Sequence, residues 1–172
     1  KTDFPDFNNR EHFLIEKKTL ELLATLGVPV PIEKKVGAEN IDNKNISYLC
    51  ESFVEGVQYK WDSLPNKALT NLFDIYTKAH KVAVKNFGPL DSGLGGNFLN
   101  WYEYIVNIIN NSDFLKLENK KIMDRVVVKF SDYLYKIKTP SLVLVDLNPG
   151  NIFFNKDSDI MGVIDIDHPI GG

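Results

Sequence analysis

One cysteine and three histidines are all that the 172 residues hold of thiol and imidazole ligands. A single thiol builds no disulfide framework, which points to a reducing, cytoplasmic compartment rather than a secreted one. It also leaves no Cys/His cluster for structural zinc. Cys50, inside "SYLCESF", is expected to be a buried small hydrophobe rather than a reactive thiol. Long apolar runs are missing too: nothing approaches the roughly 20 residues that a membrane span needs, and no signal peptide is visible. A surplus of positive charge is likewise absent. With 20 Lys+Arg against 23 Asp+Glu and a net charge of -3, the chain lacks the basic stripe of a nucleic-acid binder. Neither membrane nor nucleic-acid polymer is an expected partner. Internal repeats and low-complexity tracts are absent as well. What is there, 44% hydrophobic and 25% charged residues, is the make-up of an ordinary globular protein with room for one good core.

The order of elements can be read from periodicity. Asn8 and Glu11 suggest a capping box, and Phe13, Leu20, Leu23 and Leu26 form the apolar stripe of a helix that Gly27 and Pro29 end. Two extended runs follow, "VPIEKKV" and "ISYLCESFV", joined by the polar "GAENIDNKN" as a hairpin loop. Ser63 and Pro65 open a second helix carrying Leu69, Leu72, Phe73, Tyr76 and His80. After the Gly-rich loop "NFGPLDSGLGGN" two more helices are expected, near 98–111 and 114–137. From 141 onward the pattern is strand, turn, strand, turn, strand. This is an α+β plan with a seam near 54–62.

The chemistry concentrates in the last thirty residues. In "VLVDLNPGNIFF" a hydrophobic strand runs into Asp146, a Pro-Gly turn follows, and Asn151 opens the next strand. An aspartate before a turn also serves as an Asx turn or a cap, and an asparagine after Pro-Gly also serves the turn itself. Asp165 in "GVIDID" is harder to explain structurally, because apolar neighbours threaten to bury its charge. Strand alternation would put Asp165 and Asp167 on one face. If the three strands pair locally, these oxygens converge at one edge. Two or three hard oxygen ligands suit magnesium, water and phosphate better than zinc.

The segment "LVLVDLNPGNIFF…IMGVIDID" resembles the catalytic region of the aminoglycoside phosphotransferase and choline kinase group, small-molecule kinases with a protein-kinase-like fold. The resemblance implies a partial N-terminal nucleotide-binding lobe with its hinge over residues 1–56. A partial, mainly helical catalytic and substrate lobe would occupy 57–172. It implies Asp146 as the base that orients the acceptor hydroxyl, with Asn151 and Asp165 holding Mg2+ and Asp167 assisting. "SYLCESFVEG" is similar to the strand and hinge of that group, so backbone groups of Ser52 and Val54 would meet the purine of ATP or GTP. "FLIEKKTLELLATLGVPVP" is similar to its first large helix, so Glu16 would pair with a phosphate-binding lysine. Lys1 stands fifteen residues earlier, close to the usual separation of that pair. The implied activity is transfer of the γ-phosphate of ATP or GTP to a hydroxyl of a small molecule. An aminoglycoside-type antibiotic is the first candidate, and choline, a sugar or an amino alcohol comes behind it.

Three departures from that pattern stand out. Leu144 and Val145 occupy the positions where the group carries His-Gly before the catalytic aspartate. No glycine-rich phosphate loop precedes Lys1, and no further helices follow Gly172. The chain therefore reads as a processed form or as the middle of a longer protein. A pseudokinase or nucleotide-binding interaction module without turnover is the alternative, and an inactive scaffold piece with uncovered helix faces is a third. Protein-kinase activity is disfavoured, since neither His-Arg-Asp nor Asp-Phe-Gly occurs.

Overall fold

The computed structural model describes residues 10–41, 44–112, 116–166 and 168–172. Helix α1 spans Arg10–Thr25 and buries Leu20 and Leu23, as its stripe predicts. Its end is a Schellman turn. Val28 N donates to Leu23 O at 3.1 Å and Gly27 N to Ala24 O at 3.0 Å, with Gly27 at φ +69°. That left-handed conformation is what a glycine after the last turn supplies.

Strands β1 (Glu33–Ile41) and β2 (Lys44–Glu51) form an antiparallel hairpin. The loop is far shorter than the polar stretch "GAENIDNKN" suggests, because most of that stretch pairs: Gly37 lies opposite Tyr48 and Asn40 opposite Asn45. Polar side chains are at home on the open side of a two-stranded ribbon, and Tyr48 donates its hydroxyl to Glu39 at 2.9 Å. Cys50 is exposed, contrary to the expectation from its apolar neighbours. It shares the Tyr48 side of β2, and in an isolated hairpin only the Ser47 side is covered.

Helix α2 (Asn66–Ala79) starts after Pro65 and buries Ala68, Leu72, Ile75 and Ala79. Strand β3 (Gly88–Pro89) lies in the glycine-rich loop. Helix α3 (Trp101–Asn111) starts later than the apolar stripe suggests because Asn100 caps it: Asn100 Oδ1 accepts from Glu103 N at 2.9 Å, and Glu103 Oε2 accepts from Leu99 N at 3.1 Å. Helix α4 (Leu117–Lys136) packs on α3, burying Val127. Beside that contact Ile122, Val126, Phe130, Tyr133 and, just past the helix end, Ile137 remain 42–67% exposed. Among the described residues no helix is long and apolar enough to cross a membrane.

The C-terminal strands do not pair as three neighbours. Strand β4 (Leu142–Leu144) pairs with β7 (Pro169–Gly171), which also pairs with β3, giving the order β3-β7-β4. Strands β5 (Ile152–Phe154) and β6 (Ile160–Val163) form a separate hairpin around the turn at 155–159. The connection between β4 and β5 ends in the 3-10 turn Pro149–Asn151, and the two strands lie in separate sheets.

One buried cluster joins α1 (Leu20, Leu23), α2 (Leu72, Ile75) and the C-terminal strands (Leu144, Phe154). Phe154 is fully buried there and packs its ring on Tyr59 at 5.2 Å. Phe154→Ala is expected to cost about 3–5 kcal/mol, the usual range for emptying a buried aromatic site. Denaturant unfolding would read this, and a loss below about 1 kcal/mol would show that the site is not a packed centre.

Candidate active site

Strand β4 ends at the buried Leu144, and the next two residues, Val145 and Asp146, are exposed. The chain thus leaves the core and returns to it within a few residues. Asn148 organises the excursion. Its Nδ2 donates to Asp146 Oδ1 at 2.9 Å and to Asp146 O at 3.1 Å, while its Oδ1 accepts from Gly150 N at 2.8 Å. The 3-10 turn Pro149–Asn151 then brings Asn151 back, and its Nδ2 donates to Asp146 O at 3.0 Å and more weakly to Oδ2 at 3.4 Å. Asp146 and Asn151, paired in the sequence reading, are therefore in direct contact.

Two distant side chains also reach this loop. Gln58 Nε2 donates to Gly150 O, and the Tyr76 hydroxyl donates to Leu147 O at 2.7 Å. Burial first, and then the negative charge of Asp146, push the Tyr76 phenol above its ordinary range. Both causes favour the neutral phenol, the form that donates to Leu147 O.

Asp165 arrives differently from the expectation. Strand β6 stops at Val163, and Asp165 has φ +58°, so strand alternation no longer governs where it points. Asp167 lies outside the described residues. One residue earlier, Ile164 N donates to Asn151 O at 2.9 Å, which joins this stretch to the Asn151 turn. Asp146 and Asp165 line one small cavity of about 10 Å³ together with Leu144, Ile166 and His168, and no lysine or arginine lines it. That volume is about the room of one water.

These residues suit magnesium. Asn151 Oδ1 accepts no hydrogen bond among the described residues, and Asp165 adds an exposed carboxylate that lines the same small cavity as Asp146. Among the described residues no group of three His, Cys, Asp or Glu is placed to hold a metal. The described donors for a cation are the Asp165 carboxylate and the Asn151 amide oxygen, a sparse hard-oxygen set of the kind that magnesium completes with water and phosphate.

The predicted hinge lies beyond β2. Ser52 N donates to Ile32 O, and Ser52 Oγ accepts from Ile32 N, both at 2.8 Å. The carbonyl of Ser52 and the amide of Val54 take part in no hydrogen bond among the described residues, leaving one acceptor and one donor for a partner. The Val54 side chain rests on Gly162, where an added Cβ would lie 2.7 Å from Val54 Cγ1. Gly162→Ala is therefore expected to displace the stiff valine and to cost about 1–3 kcal/mol. Unchanged stability in denaturant unfolding would show that the 52–54 segment yields freely. Glu16 is only 7% exposed on α1, while Lys1 lies outside the described residues. The sequence reading passed over Gln58, Tyr76 and Asn148. Asn148 was legible as an Asx-type turn residue before Pro-Gly, but nothing local marks the other two.

No protein-family model matches the chain, and no curated protein matches its sequence. Solved structures do match. Crystal structures of two thermostable mutants of aminoglycoside phosphotransferase APH(4)-Ia, each in a ternary complex with AMP-PNP and hygromycin B, agree with TM-scores of 0.72 over 96% of this chain at 14% identity. The fold is that of the aminoglycoside phosphotransferases. The crystal structure of an aminoglycoside-3'-phosphotransferase of type VIII agrees less closely, with a TM-score of 0.53 over 93% of the chain at 17% identity. The chain spans 59%, 58% and 60% of the lengths of these three. Within this phosphotransferase-like fold, the chain that follows the 52–54 segment is tied to β5: Val57 and Phe154 exchange backbone hydrogen bonds at 2.9 Å.

Proposed function

We propose that this chain is the nucleotide- and metal-holding part of a small-molecule kinase, which transfers the γ-phosphate of ATP or GTP to a hydroxyl. One observation carries the reading: Asn151 donates to Asp146 through its side chain and accepts from Ile164 N, one residue before Asp165, through its carbonyl. A proton acceptor and two cation ligands therefore lie within one turn and its neighbour. Residues 1–56 form the nucleotide side and 57–172 the catalytic side.

In this reading the Ser52 carbonyl and the Val54 amide hold the purine edge. Glu16 and Lys1 pair to hold the phosphates. Asn151, Asp165 and Asp167 hold Mg2+, which when bound neutralises charge on the phosphates. Asp146, at the tip of the loop, accepts the proton of the attacking hydroxyl. The hydroxyl oxygen forms the new bond to the γ-phosphorus, and the bond from that phosphorus to the β-bridging oxygen breaks, releasing the nucleoside diphosphate. Chemistry of this kind asks the protein mainly for positioning and charge neutralisation.

An aminoglycoside-type antibiotic is the first acceptor to test, which would make the protein a cytoplasmic resistance enzyme. The structural neighbour bound to AMP-PNP and hygromycin B supports that choice. Incubating the full-length protein with each nucleotide, magnesium and a set of aminoglycosides, choline and sugars should yield an acceptor heavier by one phosphoryl group in mass spectrometry. Nucleotide binding without any product would favour the non-catalytic module. The buried Leu144, which contributes no polar group before Asp146, favours that second reading.

A further inference from the structure

Leu144 ends β4 inside the apolar core and holds nothing polar in the loop that follows. The loop nevertheless has to keep Asp146 in one direction, because a base that wanders by about 1 Å loses most of its effect. Its own turn supplies part of the order through Asn148 and Asn151, yet those contacts are internal and move with the loop. An external anchor is needed to fix the loop against the rest of the molecule.

We propose that Tyr76 is a positioning residue of this loop: its hydroxyl, carried on α2, fixes the Leu147 carbonyl and thereby the direction in which Asp146 leaves β4. The inference rests on the kinase reading above. Three observations support it. Helix α2 is a rigid base, with Leu72, Ile75 and Ala79 at most 2% exposed on either side of Tyr76. Leu147 is held twice, its side chain in the same core and its carbonyl by the 2.7 Å hydrogen bond from Tyr76. The bond also joins positions 71 residues apart in sequence, so it ties α2 to the loop rather than merely closing a local turn. Gln58 holds the far end of the loop at Gly150 in the same manner. Asp146 lies between the end of β4 and the Tyr76 anchor, and it has little freedom left.

The test compares the full-length protein with Tyr76→Phe, which keeps the ring and removes only the hydroxyl. Hydrogen–deuterium exchange is expected to quicken about fivefold across 145–152 and to stay unchanged across α2. Steady-state phosphoryl transfer is expected to lose about tenfold in kcat at an unchanged KM for nucleotide. Unchanged exchange in the loop overturns the inference, whatever the activity. Quickened exchange with an unaltered kcat overturns it as well, since the reaction then does not depend on the anchor. A wild-type protein that neither binds nucleotide nor transfers phosphate overturns the kinase reading instead. The exchange comparison would then decide alone whether Tyr76 holds the loop.

Discussion

Asp146→Asn is expected to lower phosphoryl transfer by about 10²–10⁴-fold, the usual contribution of a positioned general base, while the protein folds and binds nucleotide as before. The two halves of the expectation come from different features. The functional loss follows because the amide cannot accept the hydroxyl proton. The structural neutrality follows because Asp146 is exposed and its Oδ1 mainly accepts from Asn148 Nδ2, a bond that the asparagine oxygen retains. Only the long 3.4 Å contact with Asn151 Nδ2 is at risk of meeting a second donor. Stability should therefore change by no more than about 0.5 kcal/mol. Initial rates with saturating nucleotide, set beside a denaturant curve, separate the effects. Full activity in the variant would remove Asp146 from the reaction. Loss of folding would instead make it a structural cap.

Asp165→Gly should move function and stability in opposite directions. Asp165 sits at φ +58°, a conformation that costs an L-residue about 1–2 kcal/mol and glycine almost nothing. Aspartate tolerates that conformation better than most residues, and glycine adds entropy to the unfolded chain, so the net gain is at most about 1 kcal/mol. Removing the carboxylate should nevertheless weaken magnesium-dependent nucleotide binding by on the order of 10²-fold, since even an outer partner of a metal ligand is worth 10–100-fold. A strained residue whose replacement stabilises the fold and abolishes binding is what a functional site produces. Equal binding in the variant, or a clear loss of stability, would assign Asp165 to the fold instead.

These two aspartates also mark how far the sequence could be read. The pairing of Asp146 with Asn151 was legible because one short turn carries both, and turn chemistry is local. Helix α1 was legible for the same reason, its stripe and its Gly27 stop lying within one stretch. Asp165 was misplaced by geometry, because the reading extended strand alternation past the point where β6 ends. The pairing of β4 with β7 rather than β5 was out of reach: strands of three residues carry little pattern, and their partners lie about 27 residues away across the β5–β6 hairpin. Cys50 was misjudged because its neighbours in sequence are apolar while its face of the ribbon is open. Tyr76 and Gln58 were invisible in their roles, since a hydrogen bond spanning 71 or 92 residues leaves no local trace.

Calorimetric titration of ATP and of GTP, each with and without magnesium, into the full-length protein tests the central claim most directly. Binding of one nucleotide that requires magnesium is the expected result. It would tie the Asp146, Asn151 and Asp165 cluster to a metal–nucleotide complex and identify the donor. Absence of binding by either nucleotide, or binding of equal strength without magnesium, would contradict the account.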